Sequence, residues 1–421
     1  MITPEEYLDQ LLVALVPAPT ATETVPARLA AGRTLAEDAV AALSVPPFRN
    51  SAMDGFAVRA ADLVGEGPWT LPVSGDVPAG SSAAAPLAAG HAIRIMTGAP
   101  VPTDADAVVR VEDTDARYDA PEAPSSVTIV RAPAAGANVR DAGEDIAAGD
   151  IALDAGEVLS PLAPASLAAA GIDRVVVRRR PRVAVVSTGA ELADVAAAAG
   201  PDSTGTGADA LIPDSDSLIV TALAERAGGQ VVAVLRTDDD PGHLWDALVA
   251  AAEDADLVVT TGGISMGARD VVKQAGRAHG FTFEKVAMQP GKPQGHGVIE
   301  TAGGRRVGVL ALPGNPVSVA VSFTLFGVPL LRGMLGLGDA PRLFAVAGDA
   351  WTRRDGRRQY LPARLSAAPE PGGAPVVAPV HPRGSASHLV AALHAADVLA
   401  VVPADVSTVE RGDVLEILPL Q

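Results

Sequence analysis

"RVAVVSTG", residues 182–189, is a run of apolar residues that ends in small polar ones and a glycine. Such a run reads as a strand buried on both faces. The residues after it extend the pattern. "DSDSLIVTALAERAGG" (214–229) predicts a helix capped by acids and stopped by glycines. "QVVAVLRT" (230–237) predicts a strand, "DPGHLWDALVAAAEDA" (240–255) a helix and "DLVVTTGG" (256–263) another strand. "RRVGVLALPG" (305–314) and "NPVSVAVSFTLFGVPLLRGML" (315–335) add a further strand and helix. This alternation predicts an α/β domain with a mainly parallel sheet covered by helices. Ligands of such sheets bind beyond the carboxyl ends of the strands.

Outside this region the rhythm differs. Residues 1–45 read as helices, beginning with "MITPEEYLDQLLVAL", where Thr3 is the N-cap, Pro4 takes N1 and Glu6 closes a capping box. Residues 46–139 are turn-rich and short-stranded, as in "WTLPVSGDVPAG" and "SSVTIVRAPAAG", and predict a small β domain. Residues 140–175 lead into a helix, "SPLAPASLAAAG", expected to pack back on the N-terminal helices, which makes the β zone an insertion. The loop at 193–209 reads as flexible, and residues 340–421 return to short strands around one helix.

A chain of 421 residues is too long for one core. With 48 % apolar and 19 % charged residues it belongs among folded globular proteins. Its net charge of −18 argues against nucleic-acid or anionic-membrane surfaces, so an anionic ligand needs a local cationic pocket. The chain has no cysteine, which excludes disulfides, thiol nucleophiles and sulfur-ligated metals. Its seven histidines show no metal-ligand spacing. The N-terminus lacks a basic leader and no apolar run reads as long enough to span a bilayer, so a cytoplasmic protein is expected.

Four strand ends carry unusual residues. "VVSTGAEL" places Ser187, Thr188 and Glu191 at one, and "TTGGISMGARD" places Gly262, Gly263, Ser265 and Asp270 at another. "LPGNPVS" ends a strand at Pro313-Gly314, with Asn315 fit to cap the helix that Pro316 starts, and "RTDDDP" precedes a helix. Glycines let backbone approach a ligand, and helix N-termini offer N–H groups to anions. Any one such loop is more often plain turn chemistry. Four together point to a phosphate-bearing ligand across the sheet edge. None is a P-loop, because "PGKP" lacks the glycine spacing and the Ser/Thr after lysine.

All three lysines, Lys273, Lys285 and Lys292, fall within 20 residues of a chain with 32 cationic side chains, the rest being arginine. An ammonium is a compact, rotatable charge suited to oxyanions. Pro290 and Pro293 stiffen the backbone around Lys292.

Upstream, "SAMDGFAV" (51–58), "RIMTGAPVP" (94–102) with "ADAVV" (105–109), and "GEDI" (143–146) are acid-bearing turns. Together with "STG.EL", "TTGGIS.G..D", "PGKP" and "LPGNPVS", in this order, they resemble the MoeA-type molybdopterin molybdenumtransferases, the family that includes the E domains of gephyrin and of its plant counterpart. The resemblance runs from about residue 3 to the C-terminus. It implies an elongated homodimer of four-domain subunits. The first domain combines 1–45 with 140–178, and 46–139 is the inserted β domain. The third is the molybdopterin-binding α/β domain at 179–332, and the fourth a C-terminal β barrel at 335–421. The implied active site lies where the third and fourth domains of one subunit meet the second domain of the other.

The implied reaction takes adenylylated molybdopterin and molybdate, with Mg²⁺, to molybdenum cofactor and AMP. Molybdenum ends on the dithiolate of the substrate, so the protein need supply no sulfur. Carried over by motif, Asp54, Thr97, Arg140 and Asp145 belong to the cleft, and Glu191, Asp240 and Asp270 are the acids suited to Mg²⁺. Lys285 and Lys292 neutralise phosphate and molybdate oxygens, while Pro313 and Pro316 shape the loop that delivers Ser318. Arg357 in "GRRQYLPARL" and Ser387 in "GSASHL" join Ser318 as molybdate contacts. The chain departs from the family pattern at Gln289 (often Lys), Ala190 (often Asp) and Asp216 (often Asn), and "RDAGED" has one arginine where some members have three, which leaves tungstate open as the oxyanion. An adenylyltransferase acting one step earlier is the nearest alternative, and a non-catalytic scaffold is another. A molybdopterin adenylyltransferase and molybdoenzymes are the implied partners.

Overall fold

The computed structural model describes residues 1–16, 18–81, 86–117, 121–195, 211–265, 270–353, 356–368 and 371–420. Most of the 193–209 loop lies outside these residues. The chain divides into two units, Met1–Glu23 with Arg178–Gln421, and Thr24–Val177.

The larger unit holds the α/β domain. Its sheet uses β1 (Arg182–Thr188), β2 (Gln230–Thr237), β3 (Leu257–Thr261), β4 (Thr282–Lys285), β5 (Pro293–Glu300) and β6 (Arg306–Leu312), in the order β2-β1-β3-β6-β5-β4. The first four in that order are parallel, and β5 and β4 close the edge antiparallel. The antiparallel pair was not legible in the sequence, where "EKVAMQPGKPQGHG" shows no strand alternation.

Residues alternate between the two faces, as a pleated strand requires. Val183 and Val185 of β1 pack with Val220 and Ala224 of the helix α2 (Ser215–Arg226). Ala184 and Val186 pack on the other side with Leu244 and Leu248 of α3 (Pro241–Asp254) and with Val271, Val272 and Ala275 of α4 (Val271–Ala278). The helix α5 (Pro316–Ser322) begins a helical run to Met334 that carries Phe323, Phe326 and Leu330, fully buried on the α2 side. By length and composition this run could cross a membrane, contrary to the sequence reading, yet most of it is buried as the core helix of the domain.

The N-terminal helix α0 (Pro4–Leu15) has the predicted capping box, with Glu6 N–H donating to Thr3 Oγ1 at 3.1 Å and Thr3 N–H to Glu6 Oε2 at 2.8 Å. Its stripe Tyr7, Leu11 and Leu15 is buried in the α/β core, and Tyr7 meets Phe326 edge-on at 4.9 Å. This helix therefore belongs to the larger unit and not with residues 24–45, because its apolar face fits the α/β core. The rest of 1–45 is not helical as expected: it forms short strands at Thr22–Pro26 and Ala39–Val40 and one 3₁₀ turn.

The C-terminal domain is a closed ring of five strands: β7 (Leu343–Ala347), β8 (Arg358–Ser366), β9 (Val376–Pro379), β10 (Val398–Val402) and β11 (Val414–Pro419). Pairing runs β8-β9-β7-β11-β10 and returns from β10 to β8. A two-residue strand, Met288–Gln289, pairs with Arg358 and Gln359 and ties this ring to the α/β domain.

The smaller unit contains a five-stranded sheet whose order is 107–110, 55–58, 92–95, 69–77 and 126–129. Phe56, Val109 and Ile129 form one core there, while Leu35, Leu159, Leu167 and Val177 form a separate one around the helix Ala163–Ala169.

Candidate active site

Three parallel strands end side by side at Thr188, Thr261 and Leu312. Gly262 follows β3 at φ +91°, and a Cβ there would lie 2.8 Å from the Thr188 carbonyl oxygen. At Gly314 a Cβ would lie 2.9 Å from Gly262 Cα. Both positions need glycine, because the three chain ends interlock. Above them is a cavity of about 780 Å³, whose floor includes Thr188, Gly262, Gly263, Pro313 and Gly314. Ser187, predicted to bind ligand, lies beneath this floor: it is buried and accepts a hydrogen bond from Thr261 Oγ1 at 3.1 Å.

The acids divide by what else they must do. Of the three aspartates in "RTDDDP", Asp238 pairs with His243 Nδ1 at 3.0 Å. That contact holds the Asp238 carboxyl below its ordinary range and raises the imidazole. Asp240 caps α3, its Oδ1 accepting from Gly242 N–H at 2.7 Å and His243 N–H at 3.0 Å. Asp239 alone of the three lines the cavity. Asp240, expected at the site, is outside the cavity lining and caps α3. An Asp directly before a helix-starting Pro is a capping signal that the sequence did carry.

Glu191, Ser265 and Asp270, each expected at the site, line the cavity. Asp270 precedes α4 but makes no side-chain capping bond, and its Oδ2 is buried without a hydrogen-bond partner. Lys273 stands 3.5 Å from that oxygen and donates to the Ser265 carbonyl. Asp216, noted above only as a departure from the family pattern, also lines the wall.

The lining also holds cationic side chains. Lys292 is one, half-buried, with no side-chain hydrogen bond or ion pair among the described residues. Its backbone is fixed, since Val286 N–H donates to Lys292 O at 2.8 Å and Gln294 Nε2 to Gly291 O at 2.6 Å. Lys285, expected to help neutralise the oxyanion, ends β4, exposed and outside the cavity lining. Of the three clustered lysines only Lys292 reaches the cavity.

Arg357, Ser385, Ser387 and His388 enter from the C-terminal domain. The pairing of Gln289 with Gln359 brings Arg357 to the lysine loop, and Gln359 Nε2 holds Ser385 Oγ at 2.9 Å. Ser318 and Asn315 complete this side, while Pro316 is not in the lining. Asn315 makes no capping bond, contrary to expectation, and Val317 N–H is taken by the Ser387 carbonyl at 3.1 Å.

In the smaller unit, Asp54 Oδ1 accepts from Thr97 N–H at 2.6 Å and Thr97 Oγ1 at 2.8 Å, which joins the two turns that carry them. Asp54 borders a cavity of about 320 Å³. Arg140 and Asp145 are exposed.

Among the described residues no three His, Asp or Glu side chains converge as a ready-made metal cage. Mg²⁺ keeps several waters and needs only one or two carboxylates beside substrate phosphates. The cavity-lining Glu191, Asp239 and Asp270 offer the one or two carboxylates that such a cation needs, with Asp270 Oδ2 lacking a hydrogen bond but standing 3.5 Å from Lys273.

The chain was compared with known proteins. Three family descriptions match in order: the MoeA N-terminal region (domain I and II) over residues 2–171, the probable molybdopterin binding domain over 184–333 and the MoeA C-terminal region (domain IV) over 345–420. Molybdopterin molybdenumtransferase 2 of Mycobacterium tuberculosis is 41 % identical over 409 residues, covering 94 % of this chain and 95 % of that one. Molybdopterin molybdenumtransferase of Haemophilus influenzae is 36 % identical over 337 residues, covering 80 % and 78 %. The crystal structure of the molybdopterin biosynthesis MoeA protein from Pyrococcus horikosii superposes with a TM-score of 0.77 at 30 % identity, covering 100 % of this chain and 99 % of that one.

Proposed function

The chain belongs to the MoeA family of molybdopterin molybdenumtransferases, enzymes of molybdenum cofactor biosynthesis, and from that premise we propose that its cavity joins molybdate to adenylylated molybdopterin with release of AMP. One observation carries this reading: Lys292 and Arg357, from two domains, line the same cavity as Glu191, Asp239 and Asp270.

The cationic side chains let two anions approach despite their repulsion, which is a positioning task. Lys292 and Arg357 neutralise oxyanion charge, and Ser318 and Ser387 donate hydrogen bonds to molybdate oxygens. One or two of Glu191, Asp239 and Asp270 would hold Mg²⁺, which when bound supplies further charge neutralisation at the pyrophosphate. The interlocked glycines let the backbone approach the ligand closely.

In the test, purified protein releases AMP from adenylylated molybdopterin only when both molybdate and Mg²⁺ are supplied. ATP-dependent adenylylation of free molybdopterin would instead support the earlier-step alternative, and inertness in both assays the scaffold. A homodimer and a cytosolic location are parts of the same proposal. Light scattering should give about twice the subunit mass of 42.4 kDa, and a monomer at working concentration removes the dimer. A molybdopterin adenylyltransferase fits as donor and molybdoenzymes as acceptors of the product.

A further inference from the structure

The proposed chemistry leaves Asp216 unused. It lies in the first turn of α2, two residues past Asp214, whose own carboxylate accepts from Ser217 N–H at 3.1 Å. Asp216 is only 8 % exposed, yet it lines the cavity. Its Oδ1 is buried with no hydrogen-bond partner, and no cation pairs with it among the described residues. Burial, with the charge of Asp214 adding, pushes the carboxyl up to about 7. A buried carboxyl oxygen left without a hydrogen bond costs free energy, and a ligand that supplies donors removes that cost.

The kind of donor follows by comparing the cavity's groups. Oxyanions are served by Lys292 and Arg357, and a carboxylate repels them. A cation that keeps its waters needs only one or two carboxylates, and Glu191, Asp239 and Asp270 already offer them in the same cavity. A planar edge with two adjacent N–H donors remains, matching the two carboxylate oxygens as a fork matches a fork. In the proposed substrate, the pterin ring presents such an edge through N3–H and the 2-amino group. Adenine presents one donor beside one acceptor. Asp216 also falls within the segment that matches a probable molybdopterin binding domain.

We infer that Asp216 is a specificity residue that accepts hydrogen bonds from the 2-amino-4-oxo edge of the pterin with both carboxylate oxygens. This rests on the proposed function and extends it to the heterocycle.

The full-length protein is titrated with 6-hydroxymethylpterin, with 6-hydroxymethyllumazine, in which an oxo group replaces the 2-amino group, and with AMP. The wild type should prefer the pterin over the lumazine by about tenfold or more, the effect of a charge-assisted hydrogen bond. Asp216→Ala should erase that preference, Asp216→Asn should keep part of it, and AMP affinity should stay within about twofold in both. Thermal melting of both variants identifies loss of fold, and the Asn variant preserves volume where the Ala variant leaves a void. An Asp216→Ala protein that keeps the pterin preference overturns the inference, as does one that loses AMP affinity instead, which assigns Asp216 to adenine. If the wild type releases AMP in the transfer assay but does not distinguish the two heterocycles, the inference fails and the proposed function stands. Failure of the transfer assay itself removes the function and the inference with it.

Discussion

Lys292→Ala is expected to lower molybdenum transfer by about a thousandfold while leaving the melting temperature within a few degrees. The backbone of this residue is pinned from two sides, by Val286 N–H on its carbonyl and by Gln294 on the neighbouring Gly291. The side chain does no structural work, because it pairs with nothing among the described residues. In a protein of net charge −18 a free ammonium on a cavity wall offsets repulsion that two anionic reactants would otherwise meet. Lys292→Arg should recover only part of the rate, since a planar fork replaces a point charge. Lys285→Ala should leave transfer near wild type, because that residue is exposed and outside the cavity lining. Single-turnover AMP release measures all three. Near-normal release by Lys292→Ala would sink the assignment of this wall.

Asp270→Ala is the second large effect, again about a thousandfold in turnover. Asp240 provides its control. Both aspartates precede helices, but Asp240 Oδ1 accepts from two backbone N–H groups whereas the Asp270 side chain makes no capping bond and keeps Oδ2 buried without a hydrogen bond, 3.5 Å from Lys273. A side chain withheld from capping at a cavity wall is available to a ligand. Asp240→Ala should therefore cost about 1 kcal/mol of stability, the usual loss of an N-cap, with transfer kept. Asp239→Ala should reduce transfer with little change in stability, and Asp270→Ala should do so most strongly. Urea unfolding read beside AMP release separates the two kinds of effect. If Asp240→Ala lost turnover while Asp239→Ala and Asp270→Ala kept it, the acid wall drawn here would be wrong.

The acid triplet shows where sequence reading stops. "RTDDDP" announces a strand end, a helix start and three carboxylates, and the proline after Asp240 marks that residue as the cap. Which remaining acid faces the ligand depends on His243, five residues past Asp238, turning back to take it. Likewise the lysine window was visible as a cluster, but only folding separates Lys292 on the cavity wall from Lys273 beside Asp270 and Lys285 in solvent.

By itself the sequence determined the family, the α/β order of the central domain and the glycine-bearing strand ends, because periodicity, caps and turns are local signals. It also determined the capping box of the first helix, though not the core that helix joins. Tertiary structure alone decided that Arg357 and Lys292 share a cavity, since this depends on Met288–Gln289 pairing with a strand some 70 residues later. It decided too that Asp216 is buried, with Oδ1 lacking a hydrogen-bond partner among the described residues, because burial is a property of what packs around a side chain and not of its neighbours in the chain.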